Sequence, residues 1–275
     1  MIDLSNTTLI IPLKIEHIDR YRNAEIVLNF LNLNLYTNVF IYEVSSNGET
    51  HLNFLESLKN LNIKHKCITE EEFFHRTKYL NIMLDEVETP VVANYDIDVI
   101  LDPLNFLECQ NNILDKKYNV IYPYELGNGQ IAVLESFDYE GFKNSNYSID
   151  FINSSGEKRV QNSVCGHCIF LDSNIYRLYG GENEYFISYG PEDQERRYRF
   201  EKLTDSVSWR EGEKVYHFDH YRGNDSSFKN PHFSSNCEIF DKIKSMDNEA
   251  LLDYYMGIEY SIKYNNFCKN SKRLV

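Results

Sequence analysis

Three short stretches carry the residues whose types and spacing could do chemistry. The first is Asp96-Ile97-Asp98, directly after the apolar run Pro90-Val91-Val92-Ala93-Asn94-Tyr95. Two aspartates one residue apart lie on the same side of an extended chain. Their hard oxygens suit a divalent ion such as magnesium or manganese together with its phosphate ligands. The second stretch runs from Glu184 to Arg197, where Pro191 fits the first turn of a helix and Glu192 and Asp193 follow near its positive end. Carboxylates so placed either complement the helix dipole or supply a general base at a pocket mouth. Tyr185, Phe186 and Tyr189 just upstream suit stacking on a sugar face and suit a core equally well. The third stretch is His217-Phe218-Asp219-His220-Tyr221-Arg222-Gly223-Asn224-Asp225. His217 and Asp219 alternate on a strand there and His220 opens the loop, so an imidazole could complete a metal shell.

A fourth motif reads as structural. Cys165-Gly166-His167-Cys168 has the spacing of a redox dithiol, a motif that opens a helix in thioredoxin-like proteins. Here it runs into Ile169-Phe170-Leu171 and then Asp172-Ser173-Asn174, a short buried strand followed by a cap. A zinc knuckle needs a second pair at similar spacing, and the sequence has none. A dithiol oxidoreductase is the outlying alternative. The six cysteines (Cys67, Cys109, Cys165, Cys168, Cys237 and Cys268) are expected as free thiols of a reducing compartment.

These residues need a scaffold, and the periodicity supplies one. Leu9–Leu13 predicts a buried first strand, Asp19–Leu35 a helix, Asn38–Glu43 a second strand, and Leu52–Leu61 an amphipathic helix. A short strand near Ile63–Ile68, a helix over Glu70–Glu86 and the strand Pro90–Tyr95 follow. Strands alternating with helices imply a mostly parallel sheet covered on both faces, with ligands beyond the carboxyl ends of its strands. After about Pro103, strands, turns and loops are expected to dominate through Gly212, with a late strand at Val215–Phe218. From Cys237 to Tyr264 the pattern is helical again. The turn at Gly180-Gly181 and the loop after His220 are candidate lids.

Composition narrows the function classes. The chain has 275 residues, 42% hydrophobic and 25% charged, which is ordinary for a globular protein and excludes a mainly disordered chain. With 28 Lys and Arg against 42 Asp and Glu the net charge is −14, which argues against a nucleic-acid partner. No signal peptide or transmembrane run is seen, so a cytoplasmic protein is expected. Lys263, Lys269, Lys272 and Arg273 offer a weak peripheral contact with an anionic membrane at the inner face of the cell membrane.

Taken in order, the segments resemble the metal-dependent GT-A glycosyltransferases, and most closely the β-1,4-galactosyltransferase family with related bacterial polysaccharide-synthesising transferases. Phe74-His75-Arg76-Thr77-Lys78-Tyr79-Leu80-Asn81 is similar to that family's F-x-R-A-x-x-L-N donor-binding helix, and Asp96-Ile97-Asp98 to its D-x-D. Tyr189-Gly190-Pro191-Glu192-Asp193 resembles the W-G-G-E-D segment, and His220–Asp225 the late histidine loop that supplies a metal ligand. The likeness spans roughly Leu9 to Asp225. It implies a GT-A (Rossmann-like) α/β fold, with a mixed, mostly parallel sheet flanked by helices and a C-terminal helical extension. Residues 1–235 would form the transferase domain, with a nucleotide-binding half at 1–102 and an acceptor and catalytic half at 103–235, and 236–275 the extension.

The resemblance also implies roles. Asp98 and His220 would bind Mn2+ (or Mg2+), with Asp96 assisting and His217 as the substitute ligand. Pro12, Arg76, Asn81, Asp96 and Gly166 would contact a UDP-sugar donor. Asp193 would be the catalytic base, and Glu192, Tyr189 and Gly190 would hold a saccharide or lipid-linked saccharide acceptor. The implied reaction is inverting hexosyl transfer in surface-glycan synthesis; the alternative is a degenerate sugar-nucleotide-binding protein. Three positions depart from the family pattern. Pro12-Leu13-Lys14-Ile15-Glu16 lacks the family's arginine-rich turn, Pro191 replaces a glycine, and Tyr189 replaces a tryptophan.

Overall fold

Leu9–Leu13 lies inside a much longer strand, β1 (Ile2–Lys14), because buried Leu4, Thr7 and Thr8 extend the run toward the N-terminus. The computed structural model describes residues 1–69 and 73–258. β1 pairs in parallel with β2 (Leu35–Ser45) and β4 (Val91–Tyr95), and β2 in parallel with β3 (Leu61–Thr69). β9 (Cys168–Asp172) inserts antiparallel between β4 and β6 (Val120–Tyr122), and β10 (Val207–Trp209) closes the edge parallel to β6. The resulting seven-stranded order is β10-β6-β9-β4-β1-β2-β3. Its central strands are buried on both faces, so they read as continuous apolar runs instead of alternating ones. A second, four-stranded sheet has the order β5 (Val99–Leu101), β11 (Val215–Phe218), β7 (Gly127–Val133), β8 (Lys158–Ser163).

Helices flank the large sheet: α1 (Ile18–Asn34), α2 (Arg76–Asp85), α3 (Pro103–Leu114), α6 (Ser173–Leu178) and α7 (Glu192–Thr204), with α4 (Tyr139–Asn144) and α5 (Ile149–Ser154) beside the small one. Three expectations are corrected. The Leu52–Leu61 helix is a single 3-10 turn at Leu55–Ser57, since Asn32 captures the backbone N–H and side-chain amide of Asn60 and β3 begins at Leu61. The helix expected from Glu70 begins at Arg76, where His75 caps it by accepting from Lys78 N, and residues 70–72 lie outside the described residues. The stretch after Pro103 is substantially helical. Asp102 caps α3 by accepting from Leu104 N with Pro103 at its first position, a start signal that the loop reading passed over.

The cap at Asp172 is as expected, accepting from Asn174 N and Ile175 N at the start of α6. The C-terminal helical stretch is two helices, α8 (Phe233–Lys244) and α9 (Asn248–Gly257), split where Asp247 caps the second. With Phe186 they enclose a small separate core of Ile243, Leu251 and Tyr255 against α7. Cys268 and the basic residues from Lys263 onward lie outside the described residues.

Candidate active site

Two strand junctions create the site. β4 ends at Tyr95, the turn 96–98 follows, and β5 then pairs antiparallel with β11 so that His217 stands opposite Val99. Phe218 N donates to Asp98 O at 2.8 Å, which fixes the register. Asp98 is thereby brought to two imidazoles more than a hundred positions away. Its Oδ2 lies 3.1 Å from His220 Nε2, and its Oδ1 lies 3.6 Å from His217 Nε2. The ligand atoms of Asp98, His217 and His220 all fall within 4.8 Å of one another.

Asp98 and Asp96 leave a tight turn, not an extended run, since Val99 N donates to Asp96 O and Asp96 N to His167 O. The turn still delivers both carboxylates to one cavity of about 310 Å³. That cavity is also lined by Pro12, Arg76, Gly166, Tyr189, Glu192, Asp193, His217 and His220. Most of the residues expected from sequence therefore converge.

Asp98 Oδ1 is buried and has no hydrogen-bond partner, whereas Oδ2 accepts from Arg20 Nη1 at 3.0 Å. Burial by itself raises the Asp98 carboxyl, but His217, the bond to His220 and Arg20 outweigh it and hold the group well below the usual carboxylate range. Burial pushes His217 down to about 3 against the pull of Asp98, so its ring is neutral at physiological pH. An ionised carboxylate and a neutral imidazole are the forms that ligate metal, and a buried carboxylate oxygen without a hydrogen-bond partner, 3.6 Å from His217 Nε2, fits an ion there. Two nitrogens with one oxygen suit a transition-metal ion better than Mg2+, which is bound through carboxylates, phosphates and water.

A second charge network joins this centre to the start of α7. Arg76 donates from Nη2 to Asp96 Oδ1 at 2.7 Å and from Nη1 to Asp193 Oδ1 at 3.3 Å. Arg196, one turn along α7, also holds Asp193 and reaches Glu182 Oε1 at 2.7 Å. Burial raises the Asp193 carboxyl, but Arg196 and Arg76 outweigh it and bring it to about 2. For Glu192 the same two arginines are outweighed. Burial first, and then the neighbouring Asp193 charge, push it up to about 8. Gly166 is required here, because a Cβ on it would sit 3.1 Å from Asp193 Oδ2 and its φ is +97°.

Two expected contacts are not brought to the cavity. Asn81 is fully buried behind it, donating to Glu182 O and Glu184 Oε1 and accepting from Glu182 N, so it shapes the 181–184 turn instead of a ligand. Gly190 faces α8, where a Cβ would meet Asn236 Nδ2 at 2.7 Å. The Gly180-Gly181 turn is no lid, since it is packed on Tyr255 and Asn81 and Arg199 binds the Gly181 carbonyl. The loop after His220 does line the cavity, and Lys14 ties it down through Asp225 at 2.7 Å.

Three residues that the sequence did not mark for the site bear on it, and two of them, Arg20 and His167, line the cavity. Arg20, in the first turn of α1, places a guanidinium beside Asp98 where the turn after β1 lacks arginine. Asn236 holds Ile187 and Tyr189 by their backbones and so sets the approach to α7. His167, noticed only as part of the cysteine motif, lines the cavity at φ +57°. The cysteines themselves are unsuited to redox work. Cys168 is buried in β9, and burial pushes both thiols up, Cys165 to about 12. Among the described residues no helix is long and apolar enough to cross a membrane.

No protein-family model and no curated protein matches this sequence. Solved structures do resemble the fold. A mannosyltransferase from Pyrobaculum calidifontis in complex with GDP-Man and Mn2+ superposes with a TM-score of 0.50 at 13% identity, over 79% of this chain and 58% of that one. S. aureus TarS 1-349 in complex with UDP-GlcNAc gives 0.52 at 14% identity, over 91% and 71%. GalNAc-T7 with UDP, GalNAc and Mn2+ gives 0.55 at 10% identity, over 79% and 44%. This chain thus spans 58% of the first structure's length and 44% of the third's. At such identities the likeness establishes the architecture, and the chain has the GT-A fold.

Proposed function

We propose that this chain is a metal-dependent, inverting glycosyltransferase that moves a hexose from a UDP-sugar to the hydroxyl of a saccharide or lipid-linked saccharide. The observation that carries the reading is the single cavity in which Asp98, His217 and His220 face the acidic start of α7. Asp98, His217 and His220 would hold Mn2+, with Asp96 beside them. The ion, when bound, neutralises charge that develops on the leaving diphosphate, which a chain of net charge −14 is poorly suited to do alone. Arg20 and Arg76, two of the three arginines that line the cavity with Arg222, would face the donor phosphates, and Pro12 and Gly166 line the donor space.

Asp193 takes the proton from the attacking hydroxyl, and a positioned base contributes roughly 10²–10⁴ in rate. A carboxylate held near 2 is a weak base. Donor phosphates that draw Arg76 away remove one of the two cations responsible and strengthen it. Glu192, protonated at neutral pH, can donate to an acceptor oxygen, and Tyr189 offers a ring face beside it. The motif order supports membership of a β-1,4-galactosyltransferase-like group serving bacterial surface glycans, at the cytoplasmic side. The test is calorimetry of UDP with and without Mn2+, followed by Mn2+-dependent hydrolysis of UDP-Gal, UDP-GalNAc, UDP-Glc and UDP-GlcNAc. UDP affinity that ignores Mn2+ refutes the metal centre, and failure to bind UDP at all refutes the reading.

A further inference from the structure

A second cleft, of about 720 Å³, lies across a thin wall from the cavity, and Cys165 and His167 line both. One side of the cleft is α7, which presents Gln194, Arg197, Tyr198 and Glu201. Their spacing of three, four and seven residues places them on one helical stripe. The stripe begins at Gln194, one residue after Asp193 and so about 100° further round α7, which places the cleft beside the base on an adjacent face of the helix. Gln130 and Asn162, from the antiparallel pair β7 and β8, form the opposite side.

The chemistry of this lining is that of a neutral polyhydroxyl ligand. It offers amides at Gln130, Asn162 and Gln194, each with both donors and acceptors. Its charges cancel, because Arg197 Nε is 2.9 Å from Glu201 Oε1. An anionic ligand would meet Glu201, and a cationic one Arg197. Tyr198 and Phe240, ring centroids 6.2 Å apart, close one end with aromatic surface. At 310 Å³ the catalytic cavity is near the lower limit for a site that encloses a drug-sized ligand, roughly 300–1,000 Å³. A sugar nucleotide would fill it and leave no room for remote parts of an acceptor. His167, which lines both spaces, keeps a side chain in left-handed backbone that glycine would adopt at lower cost.

We infer that this cleft binds the second and third sugar residues of an extended acceptor, so that the chain elongates an oligosaccharide in preference to a monosaccharide. The inference rests on the transferase reading above. Its test uses the full chain with Mn2+ and UDP present, and fluorescently labelled mono- to tetrasaccharides of three series: β-1,4-glucose, β-1,4-GlcNAc and β-1,4-galactose. In at least one series the trisaccharide is expected to bind about tenfold or more tighter than its monosaccharide. Gln194→Trp and Asn162→Trp, both at exposed positions that leave the core untouched, are expected to bring the trisaccharide down to monosaccharide affinity. Absence of a length gain in every series, or a gain that survives both substitutions, overturns the inference. UDP binding in the same samples separates the two readings. UDP bound without a length gain removes the cleft alone, whereas no UDP binding removes the transferase reading and the cleft with it.

Discussion

Glu192 should make this protein's stability fall with pH in a window where most proteins are at their most stable. Its carboxyl is raised from 4.5 to about 8, by burial first and by Asp193 second. Its Oε2 is buried without a partner, as suits a protonated group. The unfolded chain releases this proton near 4.5 and the folded chain keeps it to about 8. Between those values the folded state therefore binds one more proton, and stability falls by about 1.4 kcal/mol per pH unit from this group. The contribution is highest below 4.5 and is fully lost once the pH passes 8. Asp193 does not share the window, because it is already ionised well below it. Glu192→Gln keeps the size and removes the proton. Urea unfolding of both proteins at pH 5.5 and 7.5 should show the variant gaining up to about 3 kcal/mol on the parent between the two. Parallel pH dependences would refute the argument, since they would mean Glu192 is ionised throughout.

Other expectations follow from the same network. Asp193→Asn should retain calorimetric UDP and Mn2+ binding while transfer falls by about 10²–10⁴; normal turnover would remove Asp193 as the base. Asp98→Ala should abolish Mn2+ binding, and His217→Ala and His220→Ala should each weaken it by at least about tenfold; an unchanged isotherm for any of the three takes that residue out of the ligand set. Glu182, fully buried and bonded to Arg196, Asn94 and Tyr176, should be costly to neutralise. Glu182→Gln leaves the Arg196 guanidinium short of its partner, so urea unfolding should register a loss of about 3–5 kcal/mol; a loss below about 1 kcal/mol would show that Arg196 finds compensation elsewhere.

Much of this site could be read from residue order, because its parts are local. A D-x-D after an apolar strand, acids behind a proline at a helix start and a histidine at a strand end each follow from a few neighbouring residues. The central strands β1, β2, β4 and β9 were legible for the same reason, since burial on both faces leaves continuous apolar runs, whereas the three-residue strands β6 and β10 were not. Helices that start on a cap rather than on a long periodic stretch were not, and α3 is the example: its signal is the pair Asp102-Pro103, not its apolar spacing. The residues missed at the site are long-range partners. Nothing near Arg20 indicates that it will meet Asp98, 78 positions on, or that Arg76 will join Asp96 to Asp193, 117 positions from itself. Asn81 and Gly190 were misplaced by the converse error, for a motif position says nothing of which way a side chain turns once its neighbours pack. The sequence alone determined the kinds of chemistry present and the elements that carry them. Only the tertiary structure decided their meeting, because the pairing of β5 with β11 that sets Asp98 beside two imidazoles is a contact between strands over a hundred residues apart, stabilised by the assembled small sheet and by no local preference.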